Sequence, residues 1–192
     1  MKGYNILRKH ILDILHTKLP KDLYYHGVHH TLEVMEACKI ICKNENVSIE
    51  QSNLLLLSTA YHDCGFLEVY HGHESKGGEI AAESLREFGV GNDIIQEVID
   101  LIDSTRIPQN ATNHLEAIIC DADLDYLGGE NYDDIAESLH REFIENEIID
   151  LEQNWIKFQL DFLEKHHYWT NFSRTHREPG KQEVIKRLKV HL

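Results

Sequence analysis

The chain has 192 residues, of which 42% are apolar, and this length and composition suit one globular domain with a sizeable core. Its net charge of −14 disfavours non-specific binding to nucleic acid. No apolar run approaches the roughly 18 residues that cross a membrane, and the N-terminal segment lacks the pattern of a signal peptide. We therefore expect a cytoplasmic protein with a single domain over residues 1–192.

The spacing of apolar residues predicts helices along almost the whole chain. The first two helices carry amphipathic stripes that begin at Leu7 and at Val34. Ser48 and Gln51 form a capping box that predicts the start of a third helix. This third helix runs to His62 and is apolar on most of its faces, so we expect it to lie centrally in the fold.

Further helices are predicted after the loop LEVYHGHESKGG. A fourth stripe covers residues 81–88, and Asn92 or Asp93 is expected to cap a fifth helix. The segment HLEAIICDADLDYLGG predicts a sixth helix that ends at residues 128–129. Three more helices are predicted over residues 133–146, 155–166 and 178–190. No segment alternates convincingly at period two, so the sequence predicts an all-α, single-domain helical bundle.

The pair His62-Asp63 ends the apolar third helix, where a buried carboxylate without a partner would be costly. A divalent cation would offset this charge and would use a neutral imidazole as a ligand. Further ligands should then lie on other helices that face the same core. The segments YYHGVHHTLEV and IICDADLDYLG offer them, namely His26, His29, His30, Asp121, Asp123 and Asp125.

Three motifs in this order resemble the H…HD…D signature of the HD-domain superfamily of metal-dependent phosphohydrolases. They are His30-Thr31-Leu32, His62-Asp63 and Ala122-Asp123-Leu124. The resemblance covers about residues 23–128, and WIKFQLDFLEKHHYWT, within the C-terminal helices of residues 133–192, is similar to small stand-alone bacterial members. It implies an HD-type helical fold and one divalent ion, for which Mn, Mg, Fe, Co, Ni and Zn all suit a His/Asp site.

By this resemblance, the metal ligands are His30, His62, Asp63 and one aspartate of DADLD. We favour Asp123, because it follows an alanine as the last aspartate of the family often does. Asp121 remains the alternative, since the family usually has leucine at the position of Asp125. The two candidates lie about 200° apart on a helix, so both cannot easily face one ion. We interpret Asp125 as a solvated or supporting carboxylate.

The residues after the HD pair act in the resembled superfamily as a general acid or base, or as ligands of a second metal. The resemblance therefore predicts that His73 and Glu74 assist Asp63 in catalysis. His71, His73 and His114 do not clearly fit the spacing of a two-metal site, so we expect a single ion.

Cations that could bind an anionic substrate are few between residues 44 and 140. Lys76 and Arg106 are the candidates, while Arg86 reads as part of a solvated helix face. Residues 173–192 carry six basic and two acidic side chains, a net charge of +4, and we expect this segment to dock onto the acidic body. Contact with a phosphorylated ligand or a partner is the alternative.

The resemblance implies a phosphomonoesterase or phosphodiesterase that cleaves a nucleotide or another small phosphate ester with a metal-activated water. Two other functions remain open at this point, a non-catalytic nucleotide-sensing HD module and an HD-type oxygenase with two irons. The expected partner is thus a small phosphorylated molecule, and association of the chain with itself is possible.

Overall fold

The computed structural model describes residues 2–149 and 154–191. Over these ranges the chain forms ten α-helices and two short 3₁₀ segments, Cys64–Leu67 and Asp125–Gly128, and it contains no strand. The helices are α1 (Lys2–Lys18), α2 (Val28–Asn44), α3 (Ile49–Tyr61), α4 (His73–Glu87), α5 (Asn92–Asp103), α6 (His114–Asp123), α7 (Tyr132–Glu145), α8 (Trp155–Lys165), α9 (Asn171–His176) and α10 (Glu178–Lys189). The prediction of an all-α fold is confirmed. None of the described helices is long and apolar enough to cross a membrane.

Helix α3 lies at the centre of the larger core. Its last eight residues, from Leu54 to Tyr61, are all buried, because α1, α2 and α5 pack around it. The helix begins at the predicted capping box, in which the Ser48 hydroxyl accepts from the Gln51 N–H and the Gln51 side chain accepts from the Ser48 N–H. Both the central position of α3 and its start are therefore as predicted.

A second, smaller core joins the C-terminal helices to the chain that follows α6. Leu124 and Leu127 contribute to it from that chain, and Tyr132, Leu160 and Val184 contribute from α7, α8 and α10. The second core therefore fixes α7, α8 and α10 beside the end of α6.

The basic C-terminal segment docks onto the acidic body. The Arg177 Nε lies 2.7 Å from the Asp125 Oδ1, and Arg187 forms a bidentate salt bridge with Asp133. The pair with Asp125 is largely shielded from solvent, whereas exposed pairs such as that with Asp133 contribute little to stability. These contacts agree with the docking interpretation of the basic segment.

The predicted cap of α5 was wrong. The helix begins at Asn92 itself, and its N-cap is Gly91, which has no side chain to accept a hydrogen bond. Asn92 and Asp93 lie inside the first turn, so neither occupies the N-cap position.

The predicted end of α6 was also wrong. The α-helix stops at Asp123, and the residues that follow form the tighter 3₁₀ segment Asp125–Gly128. This tighter turn buries Leu127 in the second core.

Gly65 permits the closest backbone approach beside the HD pair. It lies in the first 3₁₀ segment, where that segment crosses the start of α4. A Cβ at this position would lie 1.9 Å from the carbonyl oxygen of His73. Because the obstructing atom belongs to the backbone, a side-chain movement cannot relieve the clash.

We expect Gly65→Ala to destabilise the protein by roughly 2–3 kcal/mol, because it forces two backbones apart. Thermal unfolding should show a melting temperature lower by roughly 5–10 °C. Gly91→Ala is the control, since a Cβ there meets no atom within 4 Å and its φ of −66° suits alanine. The free energy of unfolding of Gly91→Ala should differ from that of the unaltered protein by less than about 1 kcal/mol. Equal melting temperatures for both variants would contradict the packing described here.

Candidate metal centre

Three helix ends bring His30, His62, Asp63 and Asp123 together. His30 lies in the first turn of α2, His62 and Asp63 follow the last residue of α3, and Asp123 ends α6. The Nε2 of His30 lies 3.2 Å from Asp123 Oδ1 and 3.5 Å from Asp63 Oδ2. The Nε2 of His62 lies 3.4 Å and 3.2 Å from the same two oxygens. Each imidazole thus faces both carboxylates.

The ring of His62 is oriented by the backbone of its own helix. Its Nδ1–H donates to the carbonyl oxygen of Thr59 over 2.7 Å. The Nε2 is therefore directed into the cluster, where it lies 3.4 Å from the Nε2 of His30. A backbone acceptor on the far nitrogen is the usual way in which proteins fix a histidine that binds a metal.

Asp63 is buried, and its Oδ2 has no hydrogen-bond partner among the described residues. Burial alone would raise its pKa, but the charge and hydrogen bond of His62 together with the charges of His26 and His30 hold the pKa of Asp63 well below its usual value. Burial likewise opposes the ionisation of Asp123, whereas hydrogen bonds from His30 and His62 lower its pKa to about 2. Both carboxylates are therefore charged at neutral pH.

This donor set fits a divalent metal ion. His30, His62 and Asp123 each place one donor atom within 4.8 Å of the others, and Asp63 adds an oxygen that accepts no hydrogen bond from the described residues. Two imidazoles with two carboxylates suit first-row divalent ions and Zn²⁺. A proton on His62 would compete with the ion for the same nitrogen.

Asp121 lies on the opposite side of α6, and its carboxylate is already engaged. It accepts hydrogen bonds from the backbone N–H groups of Trp169 and Thr170, both 2.8 Å long, and from the Thr170 hydroxyl over 2.7 Å. The structure therefore brings Asp123 to the cluster and uses Asp121 to hold the segment after α8. Asp125, predicted to be a solvated or supporting carboxylate, forms the ion pair with Arg177.

The sequence comparison agrees with this geometry, because the family model of the HD domain matches residues 27–125. The chain belongs to the HD domain family. No curated protein sequence matches this HD domain. In fold it is similar to a crystal structure described as a predicted HD superfamily hydrolase from an uncultured Thermotogales bacterium, with 22% identity and a TM-score of 0.62. The alignment covers 95% of this chain and 90% of that chain.

His73 and Glu74 reach the edge of the cluster from the first turn of α4 in this HD domain. The Nε2 of His73 lies 3.6 Å from Asp63 Oδ1 and 3.8 Å from Glu74 Oε1. The His73 ring stacks on Phe66, with the centroids 4.0 Å apart, and its Nδ1 contacts the carbonyl oxygen of Tyr70. His73 therefore lies next to a candidate metal ligand, and Glu74 lies next to His73.

A cavity of about 250 Å³ opens beside the cluster of the HD domain. Asp63, His73, Glu74 and Asp123 line its polar end. Its other walls are largely apolar and aromatic, and they include Tyr25, Tyr126, Phe143, Trp155, Phe158 and Phe162. Over the described ranges, neither lysine nor arginine lines this cavity.

A second cavity of about 460 Å³ adjoins the first. The two share wall residues that include Leu124 and Phe158. Lys165, His166 and His167 line the second cavity. The candidate ligands Asp63 and Asp123 line the first cavity and not the second.

Lys76 and Arg106, predicted to bind substrate, are not brought to the HD-domain cluster. The Lys76 ammonium lies 2.8 Å from Glu79 and 3.3 Å from Glu68, and Arg106 pairs with Asp103. These are largely local surface pairs, which satisfy both cations without reaching the cavity. His114, considered for a second metal, is exposed and lies 3.9 Å from Glu45.

His26 and Glu142 form a pair at the cavity that the sequence reading did not identify. His26 lines the cavity and bonds to Glu142, which is fully buried on α7. One signal was present, because Glu142 follows Ala136 and Leu139 at helical spacing, on a stripe that is otherwise apolar. Its partner could not be read from that stripe.

We expect a divalent ion such as Mn²⁺, at 100 times its Kd, to stabilise the metal-depleted protein by about 2.7 kcal/mol. The melting temperature should rise by roughly 5–10 °C. Asp63→Ala and Asp123→Ala should abolish this rise, because each removes a donor oxygen from the cluster.

Asp121→Asn is the matched control. It should lower the melting temperature of the depleted protein, because the bonds to Trp169 and Thr170 weaken. The rise on addition of Mn²⁺ should nevertheless persist. If Asp121→Asn abolished the rise and Asp123→Ala preserved it, the ligand assignment would be reversed.

Proposed function

We propose that this HD domain is a metal-dependent phosphohydrolase that acts on a nucleotide or another small phosphate ester. The observation that carries the proposal is the unpaired, buried Asp63 Oδ2 beside two imidazoles and a second carboxylate, at the end of a cavity. A bound divalent ion would supply a water of lowered pKa and would polarise a phosphoryl oxygen.

The residues around the cluster have complementary roles in this proposal. His30, His62, Asp63 and Asp123 hold the ion, and the Oδ1 of Asp63 faces His73 over 3.6 Å. Attack of a water oxygen on phosphorus, with loss of one water proton to solvent, forms one P–O bond and breaks the ester P–O bond. The departing oxygen then needs a proton, which His73 or Glu74 supplies from the cavity wall.

The charge of the cavity favours a substrate with one phosphoryl group. Asp63, Glu74 and Asp123 are acidic, and no lysine or arginine among the described residues lines the wall. A triphosphate would bring several negative charges that only the ion could offset. The aromatic walls, in contrast, suit a base or another ring, because such rings stack well on aromatic side chains.

Asp63→Ala should abolish hydrolysis, because it removes a ligand and the carboxylate next to His73. The measurement is phosphate release from mono- and diesters, including nucleotides, with Mn²⁺, Co²⁺, Ni²⁺ or Mg²⁺. We expect kcat/KM to fall by at least about 10³-fold. Asp103→Ala is the control, since that carboxylate is exposed and pairs only with Arg106 among the described residues.

Full activity of Asp63→Ala would refute the proposal. Nucleotide binding without any turnover in the unaltered protein would instead indicate the sensing module. Two irons per chain in the purified protein, with oxygen consumption, would indicate the oxygenase.

His73→Ala and Glu74→Gln identify the group that protonates the leaving oxygen. Substitution of the residue with this role should lower kcat for an alkyl phosphate by about 10²-fold or more. Its effect on p-nitrophenyl phosphate should be much smaller, because that leaving group departs without a proton. Ser75→Ala, which alters an exposed neighbour, is the control. Equal losses on both substrates in both variants would argue against proton donation by either residue.

A further inference from the structure

Two residues that line the second cavity each carry a buried polar atom without a hydrogen-bond partner among the described residues. The atoms are the Nε2 of His166, which directly follows α8, and the Oε1 of Gln109, in the loop between α5 and α6. A buried donor or acceptor that stays unpaired costs free energy. Each of these atoms therefore has hydrogen-bonding capacity left for a molecule that enters the cavity.

The Nε2 of His166 is a donor. The buried Lys181 ammonium lies 3.3 Å from His166 Nδ1, donates to the His166 carbonyl oxygen over 2.7 Å and pairs with Glu178 over 3.0 Å. Because an ammonium only donates, Nδ1 must accept, and the single proton of a neutral ring then lies on Nε2. Burial and the charge of Lys181 lower the pKa of His166 to about 3, so the ring is neutral at pH 7.

The Oε1 of Gln109 is an acceptor. The amide Nε2 of this residue lies 3.2 Å from the carbonyl oxygen of Cys120 and 3.5 Å from Asp123 Oδ2. Both partners accept, so the nitrogen end of the amide faces them and the oxygen end is left over. Gln109 thus contacts a candidate metal ligand through its nitrogen and keeps its oxygen free of any described partner.

The aromatic walls of the second cavity suit a flat ring. Phe158, Phe162 and Trp169 line it, and the two phenylalanines also line the first cavity. Aromatic side chains stack well on heterocyclic bases. The volume of about 460 Å³ is in the range of small-molecule sites. One ligand can therefore extend from the candidate metal centre, past the shared walls, into the second cavity.

We propose that the second cavity binds the heterocyclic base of a nucleotide, with His166 Nε2–H donating to a ring acceptor and Gln109 Oε1 accepting from an adjacent N–H. The orientation, with the phosphoryl group at the candidate metal centre, rests on the proposed function. The natural bases carry a donor beside an acceptor along one edge, so a base pairs both buried atoms. A sugar phosphate without a base leaves both atoms unpaired.

Binding of nucleosides to the metal-depleted protein tests the base site without metal or turnover. The probes are adenosine and uridine, which present the acceptor and donor as an amidine and as a cyclic amide, and NMR titration measures their affinities. At least one should bind. His166→Asn should weaken this binding at least about tenfold, because the Asn oxygen still accepts from Lys181 but no N–H reaches the Nε2 position.

Two further variants separate the lost hydrogen bond from a general structural effect. In His166→Gln, the longer amide reaches towards the Nε2 position, so this variant should retain more nucleoside affinity than His166→Asn. His176→Asn, which alters an exposed histidine of α9, is the matched control and should bind as the unaltered protein does. Melting temperatures of all variants report whether the fold is intact.

Methylated nucleosides test the contact with Gln109. 3-Methyluridine and N6,N6-dimethyladenosine lack the N–H of the parent edge, so the unaltered protein should bind them at least about tenfold more weakly than their parents. Gln109→Met removes the acceptor and should reduce this ratio to less than about threefold. Gln96→Met, at an exposed position of α5, should leave the ratio unchanged. A ratio that persists in Gln109→Met would instead show a steric effect of the methyl group and overturn the contact.

Failure of both nucleosides to bind the unaltered protein would overturn the base site, and so would equal affinities in the unaltered protein and His166→Asn. Either result leaves the proposed function standing, because phosphate release and Asp63→Ala test that function separately. Nucleoside binding that depends on His166, in a protein without metal-dependent hydrolysis, would confirm the base site and overturn the proposed function together with the orientation.

Discussion

The carboxylate of Asp63 lies at the end of a central apolar helix, and none of the described residues donates a hydrogen bond to its Oδ2. A charge at this depth is tolerated only with a compensating charge nearby. The ends of α2 and α6 supply His30 and Asp123 at the same point, and each imidazole approaches both carboxylates. Two carboxylates and two imidazoles gathered at one buried point form a centre that can bind a cation. The close approach at Gly65 then brings α4, with His73, against the same carboxylate.

The three aspartates of the DADLD segment make different contacts, which together join the centre to the C-terminal helices. Asp123 faces the cluster, Asp121 holds the backbone of Thr170, and Asp125 pairs with Arg177. The change from α-helix to 3₁₀ segment after Asp123 changes the directions of the following side chains. As a result, one short stretch of chain supplies a candidate ligand and anchors the segments that flank α9. The wall formed by α8 is therefore fixed to the same segment as the candidate ligand.

The sequence predicted what local patterns encode. Apolar spacing predicted most of the helices, although it missed α9 and placed residues 73–78 of α4 in a loop. Ser48 and Gln51 predicted the start of α3, because a capping box depends on residues within one turn. It failed for Glu142, whose partners Tyr25 and His26 lie more than 100 residues away, since no local pattern records such a pairing. For Lys76 and Arg106, the sequence showed the charge that indicated substrate binding, and the structure adds the acidic side chains that pair with them. Their role in binding stays a prediction.

The charges of the cavity would also make substrate binding depend on the metal, if the domain acts on a phosphate ester. Asp63, Glu74 and Asp123 make the polar end of the cavity negative, and an anion would be repelled from it. A divalent cation held between the carboxylates would offset two of these three negative charges and would place a positive centre at that end. The imidazoles of His26 and His73 then lie at the boundary between this centre and the aromatic walls. An anionic head would face the ion and the imidazoles while an apolar body contacts the rings, so bound metal would favour the binding of such a substrate.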